Sequence, residues 1–463
     1  MKKKYLLTCI IVAILQGCAI YHKMPVDRLT VEKKLCPPAM NDVQALAKSI
    51  KHPILKPVVF NYNDGLSPDE AAILAVIANP NLRAIRDQKG IAKAQLLSAG
   101  ILPNPQISYS LDVPTGGSTN GTINAGGLGL AWDISSLISR SASMDAAREN
   151  TASVDLRVAW QEWQVAQAAK LHVFRLLFIK KQLDMAKETE RYLRKNLKTV
   201  QKAFSLGVKT IIDRDAAKMA YLNAYDTVLT LLREQNRERL ALNRSLGFPP
   251  AYEILLQKKI GLPLCKNVPE YQSVIKGIED RRLDLLGLKK GYESRDARVR
   301  AAILSQFPGI NIGVNHARDT GNVVTTGFAV TLDLPFFDRN QGQVAIERAG
   351  RKQLSDEYAA RIFDARSQVA TILADMNSTI KQMDSAEKSV NISTRLVKAY
   401  KNALSAGNAD VISYNNLLAD LETGRQNVLK LQMNFIELRI AMEIASGKYP
   451  GRDDAVEMEA RHD

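Results

Sequence analysis

Apolar residues recur every seven positions through much of residues 361–442. Val369, Met376, Met383, Val390, Val397 and Leu404 make one seam, and Tyr414, Leu421, Val428, Phe435 and Met442 make a second. A seven-residue apolar period keeps one stripe of a helix against a partner helix, so each seam predicts one arm of a coiled coil. Ser405-Ala406-Gly407 separates them and predicts the tight turn of a helical hairpin. Arms of about forty residues reach roughly 60 Å at helical rise.

The pattern occurs twice. Ala203-Phe204-Ser205-Leu206-Gly207 matches Ala403-Leu404-Ser405-Ala406-Gly407 position for position in its tip. Stepping back by sevens gives Leu197, Glu190, Leu183, Leu176 and Ala169, beside a parallel row of Val200, Leu193, Ala186, Ile179 and His172. This predicts one unbroken helix over 141–206 and a returning partner over 209–246, stopped by Gly247 with Pro249-Pro250 beyond. Upstream, Leu82 and Gly90 match Leu283 and Gly291. The chain therefore reads as two copies of a unit of about 200 residues, far longer than a solenoid repeat.

Between the helical stretches the period changes from seven to two. Ile107, Tyr109, Leu111 and Val113 alternate with small or polar residues, as do Leu128, Leu130 and Trp132 after a loop from Thr115 to Gly121. In the second copy Ile310, Ile312 and Val314 alternate, then Phe328, Val330, Leu332 and Leu334. Each run predicts a strand with one apolar face, of a length that crosses a bilayer when tilted. A soluble sheet packed on helices is the other reading. Four strands alone leave two open edges, which lipid does not tolerate, so strands that span must close with other subunits.

The expected organisation follows: a signal peptide over 1–17, an extended arm over 18–65, a first repeat over 66–249 and an inter-repeat segment over 250–280. A second repeat covers 281–447 and a polar tail 448–463. Ser67-Pro68-Asp69-Glu70 is a helix start with cap, N1 proline and acidic first turn. The helix runs through 71–99, is interrupted at Asn79-Pro80 and ends at Gly100. At the N-terminus, Lys2-Lys3-Lys4 precede a short apolar run from Leu6 to Leu15. Leu15-Gln16-Gly17-Cys18 then resembles the bacterial lipobox, which would make Cys18 the lipidated first residue of the mature chain. Several acyl chains there would anchor it durably. An ordinary secretory signal with an incidental cysteine is the alternative. Ala19, rather than Asp, favours the outer membrane by analogy with lipoprotein sorting in Gram-negative bacteria.

Composition narrows the class. Aromatics are 6% of 463 residues while hydrophobic residues are 46%, which suits long helices better than a compact enzyme core. The net charge of +15 is spread along helices, with no zinc-finger or RNA-binding signature, so nucleic acid is not expected as a partner. There is no phosphate loop, no Gly-x-Ser-x-Gly elbow and no metal-spaced cluster, and the histidines at 22, 52, 172, 316 and 462 are scattered. Neither enzyme activity, metal site nor cofactor is expected beyond the lipid on Cys18. Cys36 and Cys265 are free to pair or not in an oxidising periplasm.

Taken in order, these features resemble the TolC-type outer membrane efflux family across about residues 65–447. The resemblance rests on the Ser67–Glu70 start with Asn79-Pro80 and on Ala99-Gly100-Ile101-Leu102-Pro103-Asn104-Pro105 entering a strand. It also rests on the two glycine-containing tips and on Leu334-Pro335-Phe336-Phe337-Asp338-Arg339-Asn340-Gln341-Gly342, which resembles the heavy-metal and drug branch. It implies a mainly α fold with a membrane β-barrel, in which duplicated hairpin units form a coiled-coil α-barrel. It implies a homotrimer with four strands per subunit, docked by its hairpin tips on a periplasmic adaptor and an inner-membrane pump. The function implied is a passive exit duct for drugs or cations, with type I protein secretion as one alternative and a lipid-anchored coiled-coil adaptor as another. Ser205, Gly207, Ser405 and Gly407 are then the docking tips. Family members ring the pore near the tips with carboxylates. Asp213, Asp215 and Asp410 are the candidates here, while Ser413 and Asn416 stand where an acidic pair is expected. An Asp early in a helix also simply suits the helix macrodipole.

Overall fold

A computed structural model describes residues 20–37, 39–60, 64–257, 260–264, 266–406 and 408–448. The chain divides into residues 1–38 and 39–463. In the first unit, α1 (Arg28–Leu35) is capped by Asp27, whose carboxylate accepts the Thr30 N–H, and it buries no residue. The expected signal peptide, Cys18, Cys265, Gly407 and most of the tail lie outside the described residues.

The second unit begins with a correction. The stretch before residue 65 is not simply extended: Met40–Lys48 is a helix (α2). Val43 and Ala47, four apart on one face, are fully buried with Leu55 and Phe60 against the next helix. Four-residue spacing of two small apolar side chains is enough to dock a short helix once a core exists to receive it.

α3 (Pro68–Ala78) starts in a complete capping box: Ser67 accepts the Glu70 N–H and Glu70 accepts the Ser67 N–H. It is apolar all round and is buried over most of its length, the signature of a core helix. Asn79 breaks it from α4 (Pro80–Gly100) and caps the latter through Asn81 and Leu82 N–H. Asn79 also donates to Ser245 O at 2.8 Å, tying this break to the end of the first hairpin. Gly247 there has φ +68°, and a Cβ would meet Ala78 O at 2.6 Å, so glycine is needed both for conformation and for space.

β1 (Gln106–Asp112) and β2 (Ala125–Asp133) lead to α5 (Ser136–Ser205), a helix of 70 residues. α6 (Ile211–Ser245) returns along it. After α7 (Tyr271–Ile275) the order repeats: α8 (Leu283–Leu304), β3 (Gly309–Arg318), β4 (Val324–Asp333), α9 (Gln341–Ser405) and α10 (Val411–Ser446). α5 begins earlier than its seam suggests because Asp133 accepts the Ser135 N–H at 2.9 Å and launches the chain from the strand. β3 runs past Asn315 because His316 and Arg318 pair with Thr326 and Val324.

Both seams are interior. Val369, Met376, Met383, Val397, Tyr414, Leu421, Phe435 and Met442 are buried, and so are Ala169, Leu176, Leu183, Ala186, Leu193, Leu197 and Val200 of the first copy. The main core lies around α3, where Trp160, Trp163, Ala166 and Val173 of α5 meet Leu242 of α6 and Leu246 just past its end. Smaller clusters then follow the hairpins outward, Leu183 with Leu231, Leu197 with Ala217, and Val397 with Tyr414.

Candidate functional site

The four strands form one antiparallel sheet in the order β1-β2-β3-β4. Pairing sets the faces. Ile107 is opposite Leu130, Leu130 opposite Val314, and Val314 opposite Phe328, so this row is apolar across all four strands, whereas the next row toward the loops, Tyr109, Leu128, His316 and Thr326, turns polar on β3 and β4. This face is left uncovered: Tyr109 is 73% exposed and Phe328 70%. The other face is small and polar, and three of its polar side chains lie opposite a glycine: Ser108 with Gly129, Ser110 with Gly127, Asn315 with Gly327. A Cβ on Gly129 would come 2.5 Å from Ser108 Oγ, and one on Gly327 2.6 Å from Asn315 Oδ1. Glycine thus leaves room for a polar side chain on the neighbouring strand. β1 and β4 are the outer strands, each with one edge unpaired among the described residues. Among the described residues no helix is long and apolar enough to cross a membrane.

At the other end of the hairpins the two tips repeat one another. Val208 N–H donates to Ala203 O at 2.9 Å, and Asn408 N–H to Ala403 O at 2.9 Å. Gly207 has φ +71° with open space around it. Ser205 and Ser405 end their helices, each hydroxyl donating back to a lysine carbonyl, Lys202 O and Lys401 O. Beside the first tip Leu206, Val208 and Ile212 stand out in solvent, 69%, 72% and 70% exposed.

The three candidate gate carboxylates are all engaged locally. Asp213 closes a capping box with Thr210, accepting its N–H at 3.0 Å and its hydroxyl at 2.8 Å. Those bonds hold its carboxyl below the usual range. Asp410 caps α10 by accepting the Ser413 N–H at 2.7 Å, which lowers it likewise. Asp215 is held by Arg214 Nε at 2.9 Å, and that bond lowers it too. The tips are close enough for the Asp410 charge to act on Asp213 in the opposite direction.

What the seven-residue reading missed is a line of contacts between α5 and α10, that is, between the two hairpins. Nearest the tips, Asn196 Nδ2 donates to Asn415 Oδ1 at 3.3 Å. Next, the Tyr192 and Tyr414 rings meet edge to face at 6.2 Å. Burial, and then the Tyr414 hydroxyl nearby, push the Tyr192 phenol up. Gln426 follows, donating to Gln182 O at 3.2 Å, then Arg175 Nε to Glu437 at 2.8 Å, and Gln167 to Glu443 at 3.0 Å. Burial pushes the Glu443 carboxyl up, opposed by Lys170, which stands 3.6 Å from it and 3.5 Å from Asp69. Tyr192 and Asn196 lie one position before the seam residues Leu193 and Leu197, and Tyr414 is itself a seam residue with Asn415 beside it. His172 is not idle either: its Nδ1 lies 2.6 Å from Glu238 of α6.

His52 ties the arm to α5. Its Nδ1 accepts the Ile54 and Leu55 N–H groups at 3.1 and 3.0 Å, so the ring is the Nε2–H tautomer, which donates to Ala159 O at 2.9 Å. Burial lowers its pKa, with the Ala159 bond and Glu162 opposing and the cations Lys89 and Arg86 assisting. A base depressed in the fold binds fewer protons there than in the unfolded chain, so it contributes stability above about pH 6.5 that is lost as pH falls. Melting curves should therefore shift down between pH 7.5 and 5, and the shift should shrink in His52→Gln. An equal shift in that variant would assign it to other groups.

A profile of the family described as outer membrane efflux protein matches residues 74–248 and again 274–448. The two matches cover more than half the chain, and the protein belongs to that family, whose members are outer membrane channels for efflux and not enzymes. Toxin and drug export protein A of Aggregatibacter actinomycetemcomitans is 21% identical over 397 residues, 81% of this chain and 85% of its own. Cobalt-zinc-cadmium resistance protein CzcC of Cupriavidus metallidurans is 21% identical over 341 residues, 71% of this chain and 79% of its own. In structure, the CmeC outer membrane channel of Campylobacter jejuni aligns over 96% of this chain and 98% of its own, with a TM-score of 0.69 at 14% identity. The fold is that of these channels, and the outer membrane is its location.

Proposed function

We propose that three copies of this chain close a twelve-stranded barrel in the outer membrane and extend it by their helices into the periplasm, as the passive exit duct of a tripartite efflux pump. The sheet carries the proposal. It has one bare apolar face, one small polar face and two unpaired edges, and in lipid those edges need neighbours. Three sheets joined edge to edge satisfy every strand. A further apolar stripe on α6, Leu222, Tyr225 and Leu229, is exposed in the single chain and supports packing between copies.

The relatives' names point to drugs in one case and to cobalt, zinc and cadmium in the other. Drug or cation efflux is the first reading, and the word toxin in the first name keeps protein secretion as the second. The tips at Ser205, Gly207, Ser405 and Gly407 dock on the periplasmic adaptor, and the pump lies beyond it. The contact line between α5 and α10 is the gate that holds the second hairpin against the first. Asp213, Asp215 and Asp410 fix the hairpin ends beside it.

Light scattering in detergent and planar-bilayer recording test the duct together. A trimer with small unitary conductance is expected; a monomer without conductance would overturn the reading. Lipidation of Cys18 has its own test. Palmitate incorporated by the wild type should be absent from Cys18→Ser, and full labelling of that variant would sink the anchor.

A further inference from the structure

The apolar face of the sheet is not a plain wall. The chain between α4 and β1 passes over it, and Pro103 O accepts a hydrogen bond from Trp132 Nε1 at 2.8 Å, which pins that segment beside β2. Between segment and sheet lies a cavity of about 540 Å³. Its walls are Leu102, Pro103, Leu130, Ile312, Val314 and Phe328, with Asn104 as the polar side chain and no charged one. Leu130, Val314 and Phe328 are 50%, 52% and 70% exposed, so the groove is continuous with the bare apolar face.

We infer that this groove is a binding site for one acyl chain of a phospholipid from the periplasmic leaflet of the outer membrane. The inference rests on the channel reading, which sets the apolar face against lipid and the helices in the periplasm. The groove lies at the end of the strands nearest the helices, since Pro105 directly precedes β1 and Trp132 stands just before α5. That end meets the periplasmic leaflet. The walls exclude a sugar or charged group, which would lose its hydrogen bonds to water without replacement. A flexible hydrocarbon loses none. The volume lies within the range of about 300–1,000 Å³ usual for small-molecule sites. Pro103 and Pro105 restrict the covering segment, and the Trp132 bond fixes it, so the groove exists before its ligand and little ordering opposes binding.

Native mass spectrometry of the detergent-purified protein, reloaded from palmitoyl-oleoyl phosphatidylethanolamine, tests this. One phospholipid per chain is expected on the wild type. Ile312→Trp fills the groove and should reduce the retained lipid roughly tenfold or more. Leu332→Trp, on the same face but outside the groove, should leave it unchanged. Equal retention by Ile312→Trp, or equal loss in Leu332→Trp, overturns the site. So does a disulfide between copies in Phe328→Cys, which would mean that a second chain covers the groove. Flotation of the wild type with vesicles of the same lipid separates the two levels. A protein that floats but carries no retained lipid overturns the site alone, whereas one that does not float overturns the channel reading beneath it.

Discussion

Tyr414→Ala should raise the open probability of the reconstituted channel by about a hundredfold, with Tyr414→Phe giving only a few-fold rise. Tyr414 is 4% exposed and lies where the two hairpins meet. Its ring meets that of Tyr192 of α5 edge to face, and Asn415 beside it takes the bond from Asn196. Tyr414→Phe keeps the edge-to-face ring contact, worth about 0.5–1.5 kcal/mol, and loses only the hydroxyl. Truncating a buried aromatic costs about 3–5 kcal/mol where the site cannot collapse. Part of that loss falls on the packing with Val397 and Leu421 inside its own hairpin, which both states retain. If some 3 kcal/mol falls on the closed state, the population shifts by about two powers of ten. Single-channel recording reads the effect, and a double variant with Tyr192→Phe should be less than additive. Unchanged opening, with only a lower melting temperature, would show that the pair is structural and that the gate lies elsewhere.

The second large effect is expected where the two copies of the repeat join. Arg282→Leu should destabilise the chain by about 3–5 kcal/mol, read as a fall in melting temperature. Arg282 is 4% exposed, and its guanidinium makes a two-pronged pair with Asp284 at 3.0 and 2.8 Å. It also donates to Ala445 O at 3.3 Å and to Gln368, and stacks over Trp160 at 5.2 Å. One side chain thereby joins α5 of the first copy to α8, α9 and α10 of the second. Removing it alone leaves the Asp284 carboxylate buried without its cation. Arg282→Leu/Asp284→Leu should recover part of the loss, because the unpaired charge goes with it. No recovery in the double variant would place the loss in packing against Trp160 instead.

The histidine and arginine contacts mark the limit of reading a chain by period. A seam such as Val369–Met376–Met383 is visible because one apolar requirement repeats, and burial of each member follows from the same geometry. Strand alternation is visible for the same reason, as every second residue must suit the same face. α2 was not legible: Val43 and Ala47 make too short a pattern to distinguish from an extended arm until a core is present to bury them. The capping role of Asp213 was legible only in part: an Asp at the third position of a helix suits the macrodipole anywhere, and its 2.8 Å bond to the Thr210 hydroxyl is what shows that it closes a cap.

The sequence by itself determined the local elements, the duplication and the faces of the sheet, since these depend on residues a few positions apart. It also carried the family, through the order of its turns and tips. Tertiary structure alone decided which hairpin faces touch, because the α5–α10 contacts join residues more than two hundred positions apart, each an ordinary polar residue in its own helix. It likewise decided the groove under Pro103. Trp132 and Pro103 are unremarkable in their own segments, and only the approach of β2 to the strand entrance turns one into the donor and the other into the acceptor of a single bond.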